Sequence, residues 1–218
     1  MKARVDEDFR AFVTGDGFSC LAGKGVVRSG DYAIRTYGAL GSPRSAQRLA
    51  RELAAFVASA PEDDGRLSAF VAVFPNRPPA DEASFERRLW DQLQLVHDSD
   101  STAAEWDPSV SDDPDDPRFA FSFAGRAFFV VGLHPASSRL SRRFRWPTLV
   151  FNARRQFDRL RSQGRFERLR GMIREREIAL QGSLNPNLAD FGERSDARQY
   201  SGRAVEADWK CPFHRKEP

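Results

Sequence analysis

Cysteine and histidine are both scarce in this chain, and their scarcity argues against several chemistries at once. The two cysteines among 218 residues, Cys20 and Cys211, lie far apart and outside any CxxC pair. That pattern speaks against zinc ribbons, thioredoxin-like redox pairs and covalent c-type haem attachment. Three dispersed histidines, His97, His134 and His214, add none of the ligand spacing a zinc site needs. A Walker loop, a GxGxxG fingerprint and a GxSxG elbow are absent, and Gly15-Asp16-Gly17 is too short to stand in for one. No apolar run approaches the roughly 18 residues of a membrane span. The first residues, MKARVDEDFRAF, lack the apolar core of a signal peptide, so a cytoplasmic protein away from membranes is expected. A large charge of one sign is missing too: the net charge is +3, which does not argue for nucleic acid as a partner.

Aromatic residues are plentiful. The chain carries 18 phenylalanines, with 40% apolar and 30% charged residues, a soluble globular composition that suits an ordinary core and an apolar pocket equally well. Charge is segregated, Asp98 to Asp116 being acidic and Arg139 to Arg176 dominated by arginine. A solvated loop and solvated helix faces explain that division as readily as a binding surface does.

Periodicity predicts an α/β (α+β) fold: a single compact domain over 1–218 with a central mixed sheet that includes an antiparallel hairpin, flanked by helices, and an irregular C-terminal segment over 183–218. Phe9 to Val13 reads as a short helix stopped at Thr14-Gly15, and Tyr32 to Tyr37 as a strand. Ser42-Pro43 opens the clearest helix, with Ala46, Leu49, Ala50, Leu53, Ala54 and Val57 on one face. It ends before a turn at Pro61-Glu62-Asp63-Asp64-Gly65, and Leu67 to Phe74 then suits a strand buried on both faces. A second helix, about Asp81 to Asp98, aligns Phe85, Leu89, Leu93 and Val96 and carries His97 at its end. The polar acidic loop over 99–117 is long enough to be a lid, a binding loop or an insertion. Phe119, Phe121 and Phe123 alternate with small residues, Gly125-Arg126 is expected to make the turn, and Phe128 to Leu133 to return as a central antiparallel pair. Thr148 to Asn152 is a third strand, and two helices follow that stop at Gly164 and Gly182.

The stretch from Phe119 to Asn152 holds the most chemistry. His134-Pro135 ends the hairpin and fixes an imidazole at a strand end, where loops over sheets commonly build sites. Arg139, Arg142, Arg143 and Arg145, with serines between them, match a carboxylate or phosphate, or form a solvent-facing basic turn. His97 at a helix C-terminus is satisfied there as a partial cation, and Cys20 reads first as a small buried thiol. A haem is the cofactor this inventory accommodates, because it needs one axial residue, a large apolar pocket and a few cations for its propionates.

The segments FSCLAGKG (18–25), FERRLWDQLQLVHDSD (85–100), FFVVGLHPASSRLSRRF (128–144), PTLVFNARRQFDRLR (147–161), IRERE (173–177), LQGSLNPNLADFG (180–192) and QYSGRAVEADWKCPF (199–213) together resemble the YqcI/YcgG family, from about Gly17 to Phe213. Within it the chain is similar to the group described as haem-dependent N-hydroxylases of the guanitoxin-biosynthesis type. The resemblance implies a non-covalently bound b-type haem that delivers one oxygen to a nitrogen of a guanidine- or amine-containing small molecule. An electron donor or peroxide would be the co-reactant, and a homodimer is allowed. A haem-binding sensor or carrier without turnover is the alternative. The resemblance further implies His134 as proximal iron ligand, with His97 and Cys20 as alternatives, a thiolate moving the chemistry towards thiolate-haem monooxygenation. Arg139, Arg142 and Arg143 would pair with the propionates, and Asn185, Tyr200 and Arg203 would line the distal or substrate side. For a cationic substrate Asp98, Asp100, Trp90 and Trp106 are available. Ser19 stands before Cys20 where the family pattern has proline.

Overall fold

Apolar spacing alternates between the helical and the strand period along the chain, and the elements follow it. The computed structural model describes residues 2–59, 66–100, 104–190 and 192–215. Its elements are α1 (Lys2–Thr14), α2 (Leu21–Ser29), β1 (Tyr32–Thr36), α3 (Pro43–Ser59), β2 (Ala69–Val73) and α4 (Glu82–Asp98). The hairpin β3 (Phe121–Phe123) and β4 (Arg126–Leu133) follows, then a 3-10 turn (Leu140–Arg142), β5 (Thr148–Ala153), α5 (Arg155–Ser162), α6 (Phe166–Gln181) and the single turn α7 (Ala197–Tyr200). The strands form one mixed sheet in the order β1-β2-β5-β4-β3, with β1 and β2 parallel and the other pairs antiparallel. This is the mixed α/β domain that periodicity predicts. The turn expected at 61–65, and 101–103 of the acidic loop, lie outside the described residues.

Register decides what each face of the sheet meets. Phe70, Phe151 and Val130 lie abreast on one face, and Val71, Val150 and Val131 on the other. The first face packs on α3 and α4, where Leu49, Leu53, Phe85, Leu89 and Leu93 are fully buried against Phe70, Phe74, Phe128 and Phe151. Each such side chain contributes about 1.5–3 kcal/mol by leaving water. The second face receives α1 through Val5, Phe9 and Val13 and α2 through Val27.

Four local expectations change. α1 begins at Lys2, well before Phe9, because Val5, Phe9 and Val13 are spaced four apart and all reach the sheet. α2 was not expected at all, since Gly23 and Gly25 lower helix propensity; Cys20 caps its start, and Gly30, at φ 79°, ends it. The hairpin turns at Ala124-Gly125 rather than Gly125-Arg126. Both residues have positive φ (50° and 71°) and Phe123 pairs with Arg126, the geometry a two-residue turn needs to match strand twist. The hairpin also lies at the sheet edge, β5 being the middle strand.

Beyond the short β3, the open edge of β4 is covered by α7. Tyr200 Oη accepts from the Phe121 N–H and donates to the Phe128 carbonyl, both at 3.0 Å. Gly132 makes this close approach possible, because a Cβ there would lie 2.6 Å from the Phe85 ring and 2.8 Å from the Tyr200 carbonyl oxygen. Gly132→Ala is therefore expected to lower the unfolding free energy by about 1–3 kcal/mol through overpacking, read as a fall in the denaturant midpoint. An unchanged midpoint would mean that α7 does not hold this edge.

Candidate functional site

Proline after His134 ends β4, and strand alternation then sends the His134 side chain to the α4 face of the sheet. Its ring stacks on Phe85 with centroids 4.1 Å apart and planes 20° apart. It has no solvent exposure, and neither ring nitrogen has a hydrogen-bond partner among the described residues. Burial holds its pKa down to about 4, the Glu82 carboxylate opposing that shift and Arg142 adding to it, so the imidazole is neutral at ordinary pH. His97 lies near the other end of the same helix, about 18 Å of helical rise from Phe85. It packs against Trp106 and Phe213 at 5.8 and 5.2 Å. The two histidines do not meet at one site.

Of the arginines after His134, Arg139 and Arg142 are turned inward as fasteners, while Arg143 and Arg145 are exposed. Arg139 donates to Glu177 through Nε (3.2 Å) and Nη2 (2.7 Å), and its Nη1 reaches Ser183 at 3.1 Å. Ser141 Oγ donates to the same carboxylate at 3.0 Å. Burial pushes the Glu177 carboxyl up, but hydrogen bonds from Ser19, Arg139 and Ser141 outweigh it and hold the pKa below the ordinary value. Arg142 donates to the carbonyls of Tyr200 (3.0 Å) and Gly132 (3.4 Å), and its dense surroundings pull it down to about 10. Arg143, exposed, donates to the Ser137 carbonyl at 2.9 Å. An irregular turn leaves carbonyls without ladder partners, and guanidinium forks supply the donors. The propionate clamp expected of Arg139, Arg142 and Arg143 is thus not gathered around an opening.

The residues expected on the substrate side are likewise internal ties. Asn185 donates to the Gly202 carbonyl at 3.2 Å, Tyr200 is fully buried, and Arg203 pairs with Glu86 and Glu206. Trp90 stacks on Tyr200, and Asp100 accepts from the Ala124 N–H at 3.1 Å. Asp98 lies exposed at the end of α4, and Trp106 packs on Phe119 and Phe213. His214 is exposed near the chain end.

The most apolar hollows are on the other face of the sheet, while a larger, more polar one of about 640 Å³ lies beside α4, lined by Trp90 and His214. Only Glu177 among the 16 residues of α6 is buried; Phe166, Leu169 and Ile173 stay half-buried beside Phe129, and Val131 and Val150 stay half-buried beneath α1 and α2. These two adjoining hollows, of about 200 and 230 Å³, share Cys20, Ala22, Phe129 and Phe157. Native interiors rarely leave voids larger than a water molecule, whereas ligand pockets run to roughly 300–1,000 Å³. The first hollow is walled chiefly by valines and phenylalanines; the second adds Arg154, Arg161, Arg170, Arg174, Asp190, Asp196 and Gln199.

Cys20 is the one candidate from the sequence that these two hollows touch. Its Sγ caps α2 and accepts from the Gly23 N–H at 3.4 Å. Burial pushes the thiol up, with the Gly23 and Ala22 N–H groups and Arg142 pulling the other way. Asp196 is 3% exposed and ion-paired with Arg154. Burial pushes its carboxyl up to about 6 although Arg154 and Arg161 oppose the shift. Among the described residues no three His, Cys, Asp or Glu side chains are grouped as a metal site, and no helix is long and apolar enough to cross a membrane. The arginines of the hollow carried a signal, since Arg170 and Arg174 share a helical stripe with Phe166, Leu169 and Ile173. Asp196 carried none.

The model of the YqcI/YcgG family matches residues 9–214. The chain is 28% identical over 210 residues to the uncharacterized protein YcgG of Bacillus subtilis (strain 168), covering 91% of this chain and 81% of that one. It is 27% identical over 206 residues to the uncharacterized protein YqcI of the same organism, covering 90% and 80%. No solved structure matches the chain significantly.

Removing the Glu177 carboxylate would strand the Arg139 charge, so Glu177→Gln is expected to cost about 3–5 kcal/mol of stability. The pH dependence has a sign. Glu177 is held below its ordinary 4.5, so its contribution is present above that value and is lost as pH falls through the folded pKa. Asp196 acts oppositely: raised from 3.8 to about 6, it binds its proton more tightly when folded, and its contribution is lost as pH rises between those values. Denaturant midpoints measured across acid pH should show the wild type losing more than Glu177→Gln below about pH 4.5. Parallel curves would remove Glu177 from its anchoring role.

Proposed function

We propose that this chain, which belongs to the YqcI/YcgG family, is a haem-dependent oxygenase that N-hydroxylates a guanidine- or amine-containing small molecule. The observation that carries the reading is the unfilled apolar layer on the second face of the sheet, one hollow beneath α1 and α2 and the other beside α5 and α6, with one thiol, Cys20, opening on both. A flat apolar macrocycle would supply the contact atoms that both walls lack. Its two carboxylates would find Arg161, Arg170 and Arg174 along the second hollow.

Cys20 would hold the iron in preference to His134, because Cys20 lines both hollows and His134 lines neither. Burial pushes the Cys20 thiol up, the helix N-terminus and its N–H groups offset part of that push, and a bound metal would keep the sulfur deprotonated. His134 projects from the opposite face, stacked on Phe85. Haem would supply the activation of an oxidant and the transfer of one oxygen atom, thiolate ligation favouring O–O cleavage. The co-reactant would be oxygen with an electron donor, or a peroxide. Phe129, Phe157 and the valines of the first hollow would exclude water, while Arg154, Asp196 and Gln199 would orient a polar substrate at the second. A carrier without turnover would close the iron with a second strong ligand, and His97 and His134 are too far apart to close it as a pair.

Purified protein supplied with haem is expected to develop an intense Soret band, with the red-shifted carbon monoxide complex of thiolate ligation. Cys20→Ser should lose that signature and His134→Ala should keep it. Protein that stays colourless, or a spectrum that ignores Cys20→Ser, would count against the assignment. Incubating the reduced haem protein with oxygen and a panel of guanidines and amines should then yield a product heavier by one oxygen atom.

A further inference from the structure

Oxygenation of an amine needs a lone pair on nitrogen, yet an alkylamine with a pKa of about 10 is a cation at neutral pH. Some group must take that proton, and two carboxylates line the second hollow. Asp190 is held by Arg170 and by Arg174 at 3.8 Å, and these contacts keep its carboxyl below the ordinary value. It is a poor proton acceptor. No histidine lines either hollow, and Cys20 is assigned to iron. Asp196 remains.

We propose that Asp196, at the Arg154 end of the second hollow, is the proton acceptor that takes the proton from the cationic nitrogen of the substrate, an assignment that rests on the oxygenase reading above. In this step one N–H bond breaks and its electron pair stays on nitrogen. One O–H bond forms on the Asp196 carboxylate, and nothing is oxidised or reduced. The proton returns to water when the carboxyl ionises again after product leaves.

Three observations support the assignment. Asp196 is 3% exposed although it is charged and lines a hollow; burying an ion pair is costly, and one lining a hollow is a functional-site candidate. Its position is rigid, since it directly precedes α7, whose Tyr200 is pinned by two backbone hydrogen bonds. Its carboxyl, pushed up to about 6 by burial, is a stronger base than an ordinary aspartate. The charged and titratable groups around it are Arg154 at the end of β5, Asp158 and Arg161 on α5, and Tyr200 on α7. An ammonium entering the same apolar hollow is itself made more acidic by desolvation, by up to about 3–5 pKa units. The two pKa values thus approach each other.

The test uses haem-loaded wild type, Asp196→Asn and Asp196→Glu with two probes. These are ethylamine and 2,2,2-trifluoroethylamine, the second neutral near pH 7 because its fluorines withdraw charge from nitrogen. Binding is read from the shift of the Soret band, and proton exchange with buffer by calorimetry in two buffers of different ionisation enthalpy. Wild type should take up ethylamine without releasing a proton to buffer. Asp196→Asn should either bind it at least 10-fold more weakly or release a proton, and should bind trifluoroethylamine like wild type. Turnover of ethylamine should fall roughly 10²- to 10⁴-fold in Asp196→Asn and recover in Asp196→Glu. Wild-type turnover should also decline below about pH 6, which checks the assignment if Asp196→Asn does not fold. A wild type that forms no Soret band overturns the oxygenase reading and this inference together. A wild type that loads haem but ignores ethylamine, a flat pH profile, or an Asp196→Asn variant matching wild type overturns the inference alone.

Discussion

The buried carboxylate of Glu177 is the contact on which the shape of this molecule depends. It gathers Arg139 and Ser141 from the turn after β4 and Ser19 from the residue before Cys20. Three separate segments are thereby joined through one charge. Because Glu177 is also the one buried residue of α6, the helix is held at a polar point rather than along an apolar stripe. A charged anchor tolerates a gap beside it in a way that close apolar packing does not, since its strength comes from short directed contacts.

That anchoring makes the two faces of the sheet unequal. Against α3 and α4 the aromatic layer is filled, and His134 and Tyr200 are packed into it without solvent exposure. On the other face, beneath α1 and α2 and beside α5 and α6, the layer is left open, and Cys20, Phe129 and Phe157 border two hollows. The arginines divide along the same line. Arg139 and Arg142 tie the turn to α6 and α7, whereas Arg161, Arg170 and Arg174, paired with Asp158, Glu167 and Asp190, stand beside the open layer.

Much of the scaffold was readable from residue order. α3, α4 and β2 follow from apolar periods of 3.6 and from a short Val- and Phe-rich run, because each buries a large continuous surface. α2 was not readable, since its glycines lower local propensity and its formation depends on the Cys20 cap and on Val26 and Val27 being buried. The one-residue shift of the hairpin turn had a legible cause, Gly125 in a left-handed conformation, but left-handed Ala124 is a choice imposed by strand twist.

By itself the sequence determined the fold class, the strands and helices with strong periods, and a short list of rare residues able to hold a cofactor. Only the tertiary structure decided which of them face an opening. His134 and Cys20 look alike in a linear reading, each a rare side chain beside a structural break. Strand alternation sends His134 into a filled aromatic layer, and a helix cap aims Cys20 at an unfilled one. Asp196 and Arg154, 42 residues apart in the chain, meet only because α7 folds back on β4. Such pairings are set by long-range packing, which local pattern does not encode.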